Sequence, residues 1–293
     1  MNNSRSLREF VKQIYRTYIL ERPTHFAASL AYYSLFSLVP IIYVAISVAG
    51  LFIDDESASE KMIENIQSVF GADVAEFLVT TLEEMTEGSS RSSMWQRSMS
   101  FAAMLVGASL VFFQLQYALT SIWKIPPPSK GGTKQFFLNR VLAFVMVLCV
   151  GLLVVLVTLT NFVVSFVDSQ LNIEAISPLV SFGTTLVIGT VSVALMFKSL
   201  PNAIVSWKDV FVGAFVTALL LIAGANILGS FVMRGIFGSA FEAAGSVAVL
   251  LISVYFLAQF LVFGTVFTRI YANTFGNGIR FPASRANAQR GAT

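Results

Sequence analysis

A chain of 293 residues that is 56% hydrophobic, 12% charged and carries a net charge of +3 has too little charge to cover a water-soluble domain of that size. With a mean hydropathy of +0.75, it reads as a protein that crosses a membrane several times. Six charge-free runs, 23–53, 98–123, 141–167, 175–197, 210–233 and 243–268, separate clusters of charge. The shortest has 23 residues, and about 20 helical residues cross the hydrocarbon core. Strands of a membrane barrel would be about ten residues long and alternating. The pattern therefore predicts an all-α bundle of six transmembrane helices, at about 27–52, 98–121, 141–164, 177–197, 210–232 and 244–267, within a membrane domain over 23–275.

Residues 1–22 come first. Leu7, Phe10, Val11, Ile14, Tyr15, Tyr18 and Ile19 recur at spacings of three and four, with Arg5, Arg8, Lys12 and Arg16 on the other side. This predicts an amphipathic helix in the membrane interface, or one solvated and packed on neighbouring loops. The first span follows as AASLAYYSLFSLVP, Ala27 to Pro40. Ser29, Tyr33 and Ser37 share one helical face, and Pro40 denies the carbonyl of Phe36 its usual donor, which predicts a kink. Hydroxyls at membrane depth need partners. That face is either the wall of a substrate path or a set of interhelical hydrogen bonds.

The 54–97 segment holds ten carboxylates with apolar residues at helical spacing on both sides of Gly71. It predicts two short amphipathic helices outside the membrane, capping a cavity or lying on the surface. The second span ends in WKIPPPSKGG, residues 123–132, where three prolines cannot continue a helix. Cys149, the only cysteine, falls in the third span, so neither an intrachain disulfide nor a thiol metal site is expected. The short 198–208 connection makes the fourth and fifth spans antiparallel neighbours. In the fifth, Gly213, Ala214, Ala218, Gly224, Ala225 and Gly229 allow close packing, with Gly224, beside Asn226, the candidate hinge. Residues 276–293, rich in Gly, Ala, Ser, Asn and Arg, read as a disordered tail.

Orientation follows from the basic residues. With the N-terminus cytoplasmic, fifteen of the 19 lysines and arginines fall on the cytoplasmic side, and only Lys61, Arg91, Arg97 and Arg234 fall outside. Of the 16 acids, only Glu9, Glu21 and Asp209 share that side. Both termini are expected in the cytoplasm. The basic excess is explained by loops beside anionic lipid, so no nucleic-acid partner is expected.

The intramembrane polar residues are Gln114, Gln116, Asn161, Asn226 and Gln259, all uncharged, which argues against a proton relay. An amphiphile remains admissible, because its tail can stay in lipid while its head follows a polar groove. Ser29, Tyr33, Ser37, Pro40, Gln114 and Asn226 are the candidate groove residues. No Walker A loop, dinucleotide fingerprint, CxxC or zinc-protease motif is present. No catalytic, cofactor or metal residues are assigned.

The Ala27–Pro40 run resembles the signature of the YihY/BrkB family of bacterial inner-membrane proteins. The resemblance continues at Ala118–Leu119 and Ile122–Trp123, in Leu200–Asn202, Trp207–Asp209 and Gly213–Ala214, and in the last span with Gly245, Tyr255 and Gly264. It covers roughly 20–275. The chain departs from the family pattern with Gly264-Thr265-Val266 where a Gly-Ala-Glu is common, Phe241-Glu242 for a Tyr-Gly, Ser253 for a tryptophan, and Thr120 near an expected asparagine. The resemblance implies a multi-pass protein of the bacterial inner membrane that transports or translocates a lipid or other amphiphile. The alternative is a non-transporting envelope-assembly protein, binding a protein partner or a second copy through 54–97. An older label of the family, a tRNA-processing ribonuclease, finds no support. His25 is the only histidine, and the three acids on the cytoplasmic side form no acid–base or metal-ligand cluster.

Overall fold

A computed structural model describes residues 3–49, 63–64, 66–90, 94–126, 177–201, 203–234 and 245–280. The expected span at 141–164, with Cys149, lies outside these residues. Seven helices are numbered here: α1 (Asn3–Leu20), α2 (Thr24–Ala49), α3 (Ala72–Ser90), α4 (Met94–Ile122), α5 (Ser177–Ser199), α6 (Trp207–Met233) and α7 (Gly245–Thr274). Among the described residues the only β pairing is an isolated antiparallel bridge between Ile204 and Arg280.

Helix is what a charge-free run of this length must form in lipid, because it satisfies every backbone group within the segment. Among the described residues, Val180–Ser199, Trp207–Val232 and Ser246–Thr274 are long and apolar enough to cross a membrane. α2 runs through Pro40 to Ala49 without a break in the helix. Gly71, at φ 93°, separates helical residues 66–70 from α3. A side chain there would be strained by the backbone and would meet Val232 of α6 at 2.6 Å.

α7 is the centre of the bundle. It packs most heavily on α6 and α2, and also on α1, α3 and α4; the other close pairs are α5 with α6 and α2 with α4. The α6–α7 seam is a reciprocal pair of Gly-x-x-x-Thr steps. Gly213 lies against Thr268, and Gly264 lies against Thr217, each so closely that a methyl group on the glycine would collide with the threonine. Both hydroxyls turn back into their own helix, Thr217 to the carbonyl of Gly213 and Thr268 to that of Gly264, both at 2.7 Å. Both threonines are fully buried. Small residues let the backbones approach, and the hydroxyl and methyl of each threonine fill the space beside the glycine.

One end of the bundle is closed by polar bonds. Glu21 pairs with Lys124 at 2.6 Å and with Arg269 at 2.9 Å, and Arg269 also donates to the carbonyl of Ile122 at 2.8 Å. Trp123, buried, donates to the carbonyl of Thr265 at 3.1 Å, and Gln116 donates to that of Leu200 at 2.8 Å. Lys198 bonds the carbonyl of Val205 and lies over the Trp207 ring. The described chain continues past residue 276 to Arg280. Gly278 turns it at φ 72°, the Asn277 amide donates to buried Asp209 at 3.2 Å, and Arg280 pairs with Ile204 in both directions.

α1 docks on α7. Phe10 meets Phe267 and Phe275, whereas Tyr18 meets Phe263 and donates to Gln259 at 2.6 Å. Rising numbers on α1 match falling numbers on α7, so the two run antiparallel. Burial raises the pKa of the Tyr18 phenol, and Tyr255 nearby adds to the effect.

Candidate functional site

Between the helices lies a cavity of about 260 Å³. Leu30 and Ser34 of α2 line it with Val111, Phe112 and Leu115 of α4, Met196 of α5 and Leu221 of α6. Val254, Leu257, Ala258 and Leu261 complete the wall from α7. Their spacing along α7 is the stripe that one helical face presents. Among the described residues, Ser34 is the only lining residue with a polar side chain. Among the described residues the chamber wall carries no charged side chain. It suits a hydrocarbon chain, with one hydroxyl to register a polar atom.

None of the sequence-based groove residues is among the described residues of the cavity wall. Ser37, fully buried, donates within 2.9 Å to the carbonyl of Tyr33 and within 2.7 Å to that of Gly107 on α4, and it accepts from the Val111 amide at 3.3 Å. It therefore ties α2 to α4 one residue from the cavity-lining Phe112. Ser29 is half-buried and turns back to the carbonyl of His25 at 2.9 Å. Tyr33 is half-buried and Gln114 buried, while Pro40 lies within α2. Asn226 is exposed and donates to the carbonyl of Ile222 in its own helix at 2.8 Å. The structure brings Ser37 and the cavity together and leaves Asn226 on the outer surface. Gly224, the candidate hinge, is pressed against the ring of Phe260 on α7, where any side chain would collide. Close packing with α7 accounts for a glycine there.

Residues 14–289 match the model of the family described as virulence factor BrkB. The chain belongs to the BrkB family. It is 24% identical over 273 residues to a UPF0761 membrane protein of Saccharophagus degradans, a match covering 91% of this chain and 60% of the relative. A UPF0761 membrane protein of Azotobacter vinelandii is 21% identical over 76% of this chain and 53% of its own length. A third, from Legionella pneumophila, is 25% identical over 44% of this chain and 30% of its own. The chain thus spans little more than half the length of the first two relatives. No solved structure matches it.

In this BrkB-family chain, Leu30, Ser34, Leu221 and Ala258 were not singled out by sequence reasoning. Leu30 and Ser34 are one turn apart on α2 and adjacent to the Tyr33–Ser37 stripe, so a polar residue within an apolar helix was a signal for Ser34. Nothing in the sequence distinguishes Leu221 or Ala258 from other apolar residues in their helices. Ser253, in the same helix as Ala258, is fully buried, and its hydroxyl has no hydrogen-bond partner among the described residues.

Proposed function

We propose that this BrkB-family membrane protein binds a lipid or other amphiphile between its helices and translocates it across the bacterial inner membrane, without a catalytic step. The observation that carries the reading is the cavity: five helices converge on a chamber whose wall is apolar except for Ser34. In a membrane, such a chamber favours an acyl chain over a hydrated solute. Six spans with both termini cytoplasmic belong to the same proposal. Three apolar spans among the described residues support it. So do α2 and α4, whose 26 and 29 residues reach about 39 and 43 Å at the usual helical rise.

The test is native mass spectrometry of the protein released from native nanodiscs, wild type beside Ala258→Phe. Ala258 is buried in the cavity wall, so phenylalanine fills the chamber. The expected result is a stoichiometric amphiphile, enriched over bulk lipid, on the wild type and missing from a variant of unchanged helix content. The bound compound then goes into vesicles for a leaflet-exchange assay. A variant that keeps the same lipid, or a wild type that carries only bulk lipid, overturns the reading. A co-purifying protein in place of lipid would point to envelope assembly instead.

A further inference from the structure

The apolar sector of α1 is divided in two. Phe10, Ile14 and Tyr18 turn inward to the packed core. Val11, Tyr15 and Ile19, one turn apart along the helix, are 57%, 68% and 50% exposed. A hundred degrees of rotation per residue sets Arg8 and Lys12 along the far edge of that outward stripe, with Arg16 next to them. All three basic residues are exposed, and among the described residues none of them pairs with a carboxylate. Glu9 is the one acid on that polar face. Glu21, the nearby acid at the end of α1, is already engaged by Lys124 and Arg269.

Three exposed apolar side chains on a soluble surface would be costly, at about 25 cal/mol for each Å² of apolar area left in water. α1 is fixed to α7, whose stretch Ser246–Thr274 is an apolar span. The outward stripe therefore lies beside an apolar helix long enough to cross a membrane. A row of unpaired cations beside an apolar stripe is the chemistry of a helix that reads an anionic membrane.

We propose that the outward face of α1 is a docking surface for anionic phospholipid. Val11, Tyr15 and Ile19 enter the acyl region, and Arg8, Lys12 and Arg16 hold the headgroup phosphates. The site is separate from the cavity and stands whether or not the cavity carries a substrate. Tyr18 links the two places, because its partner Gln259 adjoins Ala258 in the cavity wall.

The experiment uses the full chain with Cys149, its only cysteine, replaced by alanine, and a fluorophore attached at Tyr15→Cys. Gln13→Cys, an exposed position on the polar side, is the reference. Each is reconstituted in phosphatidylcholine vesicles containing a minor fraction of acyl-brominated phosphatidylcholine or phosphatidylglycerol. Bromolipid should quench the label at 15 and spare the label at 13. At equal fraction, brominated phosphatidylglycerol should quench roughly twofold or more strongly than brominated phosphatidylcholine, because each basic side chain adds attraction to an anionic surface. Arg8→Gln, Lys12→Gln and Arg16→Gln together should bring that ratio to unity. High salt should do the same in the unmutated helix by screening, which keeps the test independent of the triple variant's folding. Quenching at 15 by aqueous iodide alone would show a solvated face and overturn the proposal. A label shielded from both iodide and bromolipid would show a face covered by protein, such as a second copy, and overturn it too. Equal quenching by the two bromolipids would remove the anionic selectivity and with it the docking site.

Discussion

Ser37 shows how one hydroxyl in a membrane helix is used. It bonds within its own turn and also across to Gly107 and Val111, so its loss uncouples α2 from α4 next to the cavity. Ser37→Ala should lower stability by about 0.6 kcal/mol, and by no more than about 2, the range of interhelical hydrogen bonds in membranes. Reversible unfolding in mixed micelles would measure it, with Ser29→Ala, whose bond stays within one turn, close to zero. Tyr18 offers a pH-dependent counterpart. Its phenol is raised above the ordinary 10.0 by burial first and Tyr255 second. A raised acid favours the docked state fully below the undocked pKa and loses that contribution as pH rises through the docked one. Protease cleavage within α1 should therefore accelerate as pH climbs above about 10. In Tyr18→Phe the rate should be faster at neutral pH and lose that rise relative to a tyrosine-independent cleavage site elsewhere in the chain.

At the level of the element, the α6–α7 seam is the feature most open to measurement. Gly213→Ala places a methyl group into Thr268, and overpacking of that kind costs about 1–3 kcal/mol. Thr268→Gly alone leaves a gap in the seam. Together the two should recover much of the loss, with a coupling of about 0.5–3 kcal/mol in a double-mutant cycle. Additive effects would mean that Gly213 and Thr268 do not share the contact. The same reasoning applies to Gly264 and Thr217. Gly224→Ala belongs beside them: with the Phe260 ring against it, it should destabilise by a comparable amount, read in the same unfolding assay, and Phe260→Leu should relieve it.

Across the whole molecule, the all-helical membrane architecture was legible because lipid leaves a charge-free run of this length little choice but helix. α5 and α6 start and stop within three residues of the runs read from charge, and α7 starts within two residues of its run but continues to Thr274, past Arg269. Contacts between helices were far less legible. The polar stripe of α2 could be read from its spacing, yet its roles diverge: Ser37 joins two helices while Ser29 merely turns back on its own. Asn226 is a candidate groove residue only as an uncharged polar side chain in an apolar run; it is exposed and donates to the Ile222 carbonyl of its own helix. The cavity wall was not legible. Apart from Ser34, its described residues are leucine, valine, phenylalanine, methionine and alanine, which look alike in sequence wherever they point. The three-way tie of Glu21, Lys124 and Arg269 joins residues far apart in the chain, and spacing gives no hint of it. Glu21→Gln weakens both ion pairs at once, and limited trypsin digestion should then cut faster at Lys124 than in the wild type.

The bridge between Ile204 and Arg280 also orders events in time. Chains grow at about 5–20 residues per second, so the Ile204 backbone waits several seconds for Arg280 to be made. In that interval both α6 and α7 must be synthesised, while the peptide groups of Ile204 that will bond to Arg280 have only water or some other strand to bond. The α5–α6 connection is therefore a stretch of nascent chain open to mispairing, and Arg280 arrives only after α7 has been translated.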